Sequence, residues 1–95
     1  MTAIFDISMG GADVARAFMS LTSGDEVVID VVEGDAHVKL ISSDVKKLVD
    51  MIACHLISKH GEKKLEVREA QPAQLPEFER KFRKIKDELL QCFRK

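Results

Sequence analysis

Two runs rich in β-branched side chains, residues 27 to 32 and 36 to 41, flank Glu33-Gly34-Asp35 and restrict this chain more than any other stretch of it. Such runs with a glycine between them specify a β-hairpin. A two-residue turn at Gly34-Asp35 pairs Val32 with His37, Asp30 with Lys39 and Val28 with Ile41. It leaves Val27, Ile29, Val31, Val38 and Leu40 together on the opposite face. A three-residue turn would mix the two sets, because a one-residue slip carries every side chain across the sheet. The shorter turn also sets opposite charges directly across from each other. One face of the ribbon is therefore a core surface, and the rest of the chain must cover it.

The flanking segments are read by the same periodicities. Ala3, Phe5 and Ile7 alternate with Ile4, Asp6 and Ser8, the pattern of a half-buried strand. Gly10-Gly11 breaks it, and Val14, Ala17, Phe18 and Leu21 then recur at helical spacing, which predicts a short amphipathic helix ended by Ser23-Gly24. After the hairpin, Ser42, Ser43 and Asp44 precede Val45, Leu48, Val49, Ile52 and Leu56, a capped helix of about four turns closing at His60-Gly61. Leu65 and Val67 among Lys64, Glu66 and Arg68 give a short fourth strand. Residues 71 to 76 connect it to a last helix opened by Pro76, with a stripe of Phe78, Phe82, Ile85, Leu89 and Phe93. The expected order is β-α-β-β-α-β-α. That is an α+β two-layer sandwich with a four-stranded sheet and helices on one face. Ninety-five residues suffice for one such core, so residues 1–95 are expected to form a single domain. At 45% hydrophobic and 33% charged the chain is globular rather than disordered.

Covering one sheet face leaves the other bare. The expected bare face carries Val28, Asp30, Val32, His37, Lys39 and Ile41, with Ile4 and Arg68 nearby, an apolar patch with a polar rim. Those residues form the candidate interface, and its expected occupant is a protein partner or a second copy of the chain. Charge adds a second surface. Residues 1 to 42 hold seven acidic and two basic side chains, whereas residues 43 to 95 hold nine and thirteen. Arg80, Lys81, Arg83, Lys84 and Lys86, with Arg94 and Lys95, make the last helix a candidate contact for nucleic acid. Glu77, Glu79, Asp87 and Glu88 are interspersed, the pI is near 6.3, and no Tyr or Trp is present to stack on bases. The simpler expectation is a solvated outer face, with a nucleic-acid accessory role as the alternative.

Catalytic patterns are sparse. Cys54, His55 and His60 suggest a metal, but on one helix Cys54 points away from the apolar stripe and the two histidines fall near its opposite borders. No convergence of the three is expected, and neither metal nor cofactor. His60 reads instead as a helix-end residue facing the dipole. His37 lies diagonal to Asp30 but has no nucleophile beside it, and mixed charges around Cys54 give no activated thiolate. Gly10-Gly11 reads as a tight turn rather than an anion site, since Asp13 already serves the following positive end. The expectation is a non-enzymatic module. Two cysteines make no disulfide framework, and the first 20 residues show neither a basic start nor an apolar run, so the reading is cytosolic and not membrane-bound.

The order of elements resembles the ferredoxin-like superfold and, with its third helix, the phosphocarrier HPr family. The latter's active loop reads His, any residue, Arg, Pro at the head of the first helix. Here the nearest residues are Val14-Ala15-Arg16-Ala17, without the His or the Pro. The resemblance therefore implies a regulator that lacks phosphocarrier activity, keeping Arg16 and a serine, Ser43, at the opening of the second helix.

Overall fold

The computed structural model describes residues 2–93. Its elements are β1 (Thr2–Met9), β2 (Ala12–Leu21), β3 (Val27–Glu33), β4 (Ala36–Ser42), α1 (Val45–His60), β5 (Leu65–Gln71) and α2 (Pro76–Cys92). The class is α+β, but among the described residues there are five strands and two helices, in the order β-β-β-β-α-β-α. The expected first helix is a strand. The β-α-β-β-α-β order behind the phosphocarrier and ferredoxin-like likenesses is thus not the order observed.

The reason lies in the residues of β2 and in the turn before it. Val14, Ala17, Phe18 and Leu21 satisfy helical spacing, yet Ala15, Ala17, Met19 and Leu21 equally alternate with Val14, Arg16, Phe18 and Ser20. Gly10 and Gly11 decide between the two. Both adopt positive φ, +61° and +85°, the conformation a type I′ turn requires at its two central positions. Met9 pairs with Ala12 across that turn, and the ladder continues to Thr2 and Ser20, with a bulge between Ile7 and Ser8. A strand at this position also gives β3 a partner for the side that β4 does not occupy, from Arg16↔Val32 to Leu21↔Val27.

The sheet runs β4-β3-β2-β1-β5. Its first four strands form a meander. The chain then crosses the sheet through α1 and returns as β5, antiparallel on the free side of β1 from Met9↔Leu65 to Ile4↔Gln71, with a bulge between Ile4 and Phe5. The β3–β4 ribbon has the register expected from its sequence, including Val28↔Ile41, Asp30↔Lys39 and Val32↔His37. Glu33↔Ala36 closes it, and Gly34, at φ +58°, supplies the left-handed first position of the turn.

Both helices lie on one side of the sheet. Ala3, Phe5, Ile7, Met9, Ala17, Met19, Val27, Ile29 and Val31 are buried on that side, against Leu48, Ile52 and Leu56 of α1 and Phe78, Phe82, Ile85 and Leu89 of α2. Phe5 and Phe82 meet with ring centroids 5.4 Å apart at 40°, within the range of favourable aromatic pairs. Asp44 is the N-cap of α1, its Oδ1 accepting from the Lys46 amide at 3.0 Å and the Lys47 amide at 3.4 Å. Ser43 is exposed beside it. No helix among the described residues is long and apolar enough to cross a membrane.

Candidate functional site

Among the described residues, none packs over the side of the sheet away from the helices. Registers arrange its side chains in rows across the strands. One row reads Ile41, Val28, Ser20, Thr2; the next Lys39, Asp30, Phe18, Ile4; the third His37, Val32, Arg16, Asp6, Arg68. All six expected interface residues, Val28, Asp30, Val32, His37, Lys39 and Ile41, fall on this face, together on its β3–β4 half. Ile41 is 50% exposed, and Val28, Val32, Phe18 and Ile4 are half-buried. Phe18 and Arg16 belong to this surface too. Helical spacing concealed them, and the alternation within β2 is the signal that finds them.

Two carboxylates on the face are in opposite states. Asp6 on β1 is gripped from both sides. Arg16 Nε and Nη2 donate to its Oδ1 and Oδ2 at 2.7 and 3.1 Å, and Arg68 Nη2 donates to Oδ2 at 3.4 Å. The Arg16 guanidinium holds this carboxyl below its ordinary pKa, with Arg68 adding to the effect and burial opposing it. Asp30 on β3 has no such grip. Its Oδ1 is buried without a hydrogen-bond partner among the described residues, and His37 Nδ1 stands 3.9 Å away, beyond bonding distance. The Asp30 side chain is one-third exposed although Oδ1 itself is not, and Lys39 stands opposite it on β4.

A third acidic group sits at the end of β3, at the boundary between sheet and helix. Glu33, with 10% of its side chain exposed, meets three side chains of α1. His60 Nε2 lies 2.6 Å from Oε1, Lys59 Nζ 3.0 Å from Oε2 and His55 Nε2 3.6 Å from Oε2. Burial raises this carboxyl's pKa, but the hydrogen bond from His60 and the pairing with Lys59 outweigh it, and the net effect is a value below the ordinary one. An ionised carboxylate only accepts, so His60 Nε2 is the donor. Glu33, reaching over from the neighbouring hairpin, gathers His55 and His60 from the two borders of α1; His60, in the last turn of the helix, serves this carboxylate, while the helix end is closed by the Gly61 amide on the Ile57 carbonyl at 2.8 Å. Cys54 points away and is exposed. The Lys59 ammonium takes the place a cation would need. No group of three or more His, Cys, Asp or Glu among the described residues is arranged to hold a metal ion.

The remaining candidates are dispersed. On α2, Lys81 pairs with Asp25 at 3.2 Å, Arg83 with Glu79 one turn away, and Lys86 lies 3.9 Å from Glu69. Arg80 and Lys84 are exposed on the outer side; Arg94 and Lys95 lie outside the described residues. Burial lifts the Cys92 thiol above its ordinary pKa, with Asp50 and Glu88 adding to it, the reverse of an activated nucleophile. A groove of about 620 Å³ opens between the C-terminal ends of the two helices, lined by Ile57, Leu65, Leu90 and Phe93 together with Lys63 and Lys64. Ser8 Oγ donates to Asp13 at 2.7 Å next to the Gly10-Gly11 turn. No family model, curated protein or solved structure matches the chain.

Proposed function

We propose that this protein is a non-enzymatic interaction module that self-associates through the open face of its sheet. The observation that carries this reading is the uncovered surface itself. Ile4, Phe18, Val28, Val32 and Ile41 lie on adjoining strands with nothing among the described residues packed over them, interspersed with Asp30 and Arg16 and bordered by Lys39, His37 and Arg68. Uncovered apolar side chains gathered on one face with polar and charged side chains among them are what association surfaces present.

A second copy is the occupant most in keeping with the charges, because the face carries both signs in alternation and so complements itself. The basic surface of α2 supports a nucleic-acid role less well, since three of its cations already have carboxylate neighbours. The likeness to a phosphocarrier-type regulator would rest on modification of Ser43, an exposed hydroxyl next to the N-cap of α1.

Sedimentation equilibrium of the wild type and of Val28→Asp tests the proposal. The wild type is expected to show a concentration-dependent dimer, and Val28→Asp a monomer with an unchanged circular dichroism spectrum. A wild type that stays monomeric at high micromolar concentration removes the reading.

A further inference from the structure

At the middle of the open face, two cross-strand pairs form a tile of four residues: Phe18 opposite Asp30, and Arg16 opposite Val32. The tile lies on the central strand β2 and on β3. One diagonal joins the acid Asp30 to the base Arg16, and the other joins two apolar side chains, Phe18 and Val32. Within one molecule the acid and the base do not meet. Arg16 is turned toward Asp6, and Asp30, its side chain one-third exposed, has Lys39 opposite it and His37 Nδ1 3.9 Å from Oδ1, an oxygen that accepts no hydrogen bond among the described residues.

A two-fold axis laid along the Phe18–Val32 diagonal carries Asp30 to within about 3 Å of the position facing Arg16, the tile being about 4.8 Å across the strands and about 6.8 Å along them. Two copies stacked face to face about that axis would set the arginine of each near the Asp30 carboxylate of the other, twice. Phe18 and Val32, on the axis, would meet their own counterparts between the two pairs. Arg16 remains able to do this while bonded to Asp6, since its side chain is 51% exposed and a guanidinium has five N–H donors. Packed sheets stand roughly 10 Å apart, a gap that an aspartate and an arginine bridge together. With strands about 4.8 Å apart and residues about 3.4 Å apart, the face is roughly 24 Å square, and two such faces exceed the ~1,000 Å² a specific interface needs. The diagonal axis makes the strands of the two copies cross at roughly 70°, toward the orthogonal mode of sheet packing.

We infer that the partner of the open face is a second copy of this chain, docked about a two-fold axis through Phe18 and Val32 so that Arg16 of each copy pairs with Asp30 of the other. This rests on the self-association proposed above and specifies its geometry.

Complementation between charge reversals tests it, read by sedimentation equilibrium on the full chain with circular dichroism to verify folding. Asp30→Arg and Arg16→Asp should each weaken self-association at least about tenfold, because like charges then face each other at both pairs. An equimolar mixture of the two variants should regain close to the wild-type affinity, as every reversed charge then meets its opposite. Should Arg16→Asp fail to fold beside Asp6, Asp6→Asn/Arg16→Asp takes its place. Asp30→Arg, outside that ion pair, stays informative in either case. A wild-type dimer that ignores Asp30→Arg, or two weakened variants that fail to complement, overturns the pairing while leaving self-association intact. A wild-type monomer, with or without affinity for a foreign basic protein, overturns both.

Discussion

Glu33 shows how one residue ties two parts of the molecule together. Its carboxylate joins the end of β3 to the last turns of α1 through His60 and Lys59. Because its pKa is lower in the folded chain than the ordinary carboxylate value, the stability it contributes is present above about pH 4.3 and is lost as pH falls through the lower folded value. Glu33→Gln is therefore expected to cost about 1–3 kcal/mol near neutral pH, the range for breaking a hydrogen bond to a charged group. The difference from wild type should shrink steadily toward pH 3. Urea unfolding of both proteins across pH 3 to 7 checks this, and a gap that stays constant down to pH 3 would place the cost in packing instead. In the sequence, Glu33 reads only as a hairpin-tip residue. Its partners are 22 to 27 positions further on, and no periodicity relates a turn to the end of the next helix.

At the scale of elements, the turns decide what the periodic segments become. The β3–β4 ribbon was legible because one register alone separates its apolar and polar sides, and α1 and α2 because caps and stripes agree at Asp44, Pro76 and the Phe78–Phe82 pair. Residues 14 to 21 were not legible by periodicity, as their small and apolar residues suit period 2 and period 3.6 alike. The arbiter was Gly10-Gly11, and a Gly-Gly pair between alternating runs is itself a hairpin signal. The turn can be tested directly. Gly11 sits at φ +85° with open space around the position of a β-carbon, so Gly11→Ala adds backbone strain and no clash. About 1–2 kcal/mol should be lost, a fall in Tm of roughly 4–8 °C per kcal/mol for a domain of this size. A thermal melt indistinguishable from wild type would show that the turn does not hold the β1–β2 register.

For the molecule as a whole, the open face was half visible from the sequence. Its β3–β4 half followed from the hairpin, whereas Phe18 and Arg16 were hidden with β2, and with them the tile that gives the face its centre. On the helix side, Phe82 lies against Phe5 and is 1% exposed. Phe82→Ala should cost about 3–5 kcal/mol, a large share of the roughly 5–15 kcal/mol that separates a domain from its unfolded state. Chemical denaturation of that variant measures the loss, and a cost below about 1 kcal/mol would mean the site collapses around the smaller side chain. The placement of β5 bears on how the protein is made. Phe5 is synthesised sixty-four positions before Glu69, its neighbour in the finished sheet, so β1 leaves the ribosome long before its second flank exists. A sheet formed without β5 would leave the backbone of β1 unpaired along Ile4 to Met9, an open edge of the kind on which strands of other chains add.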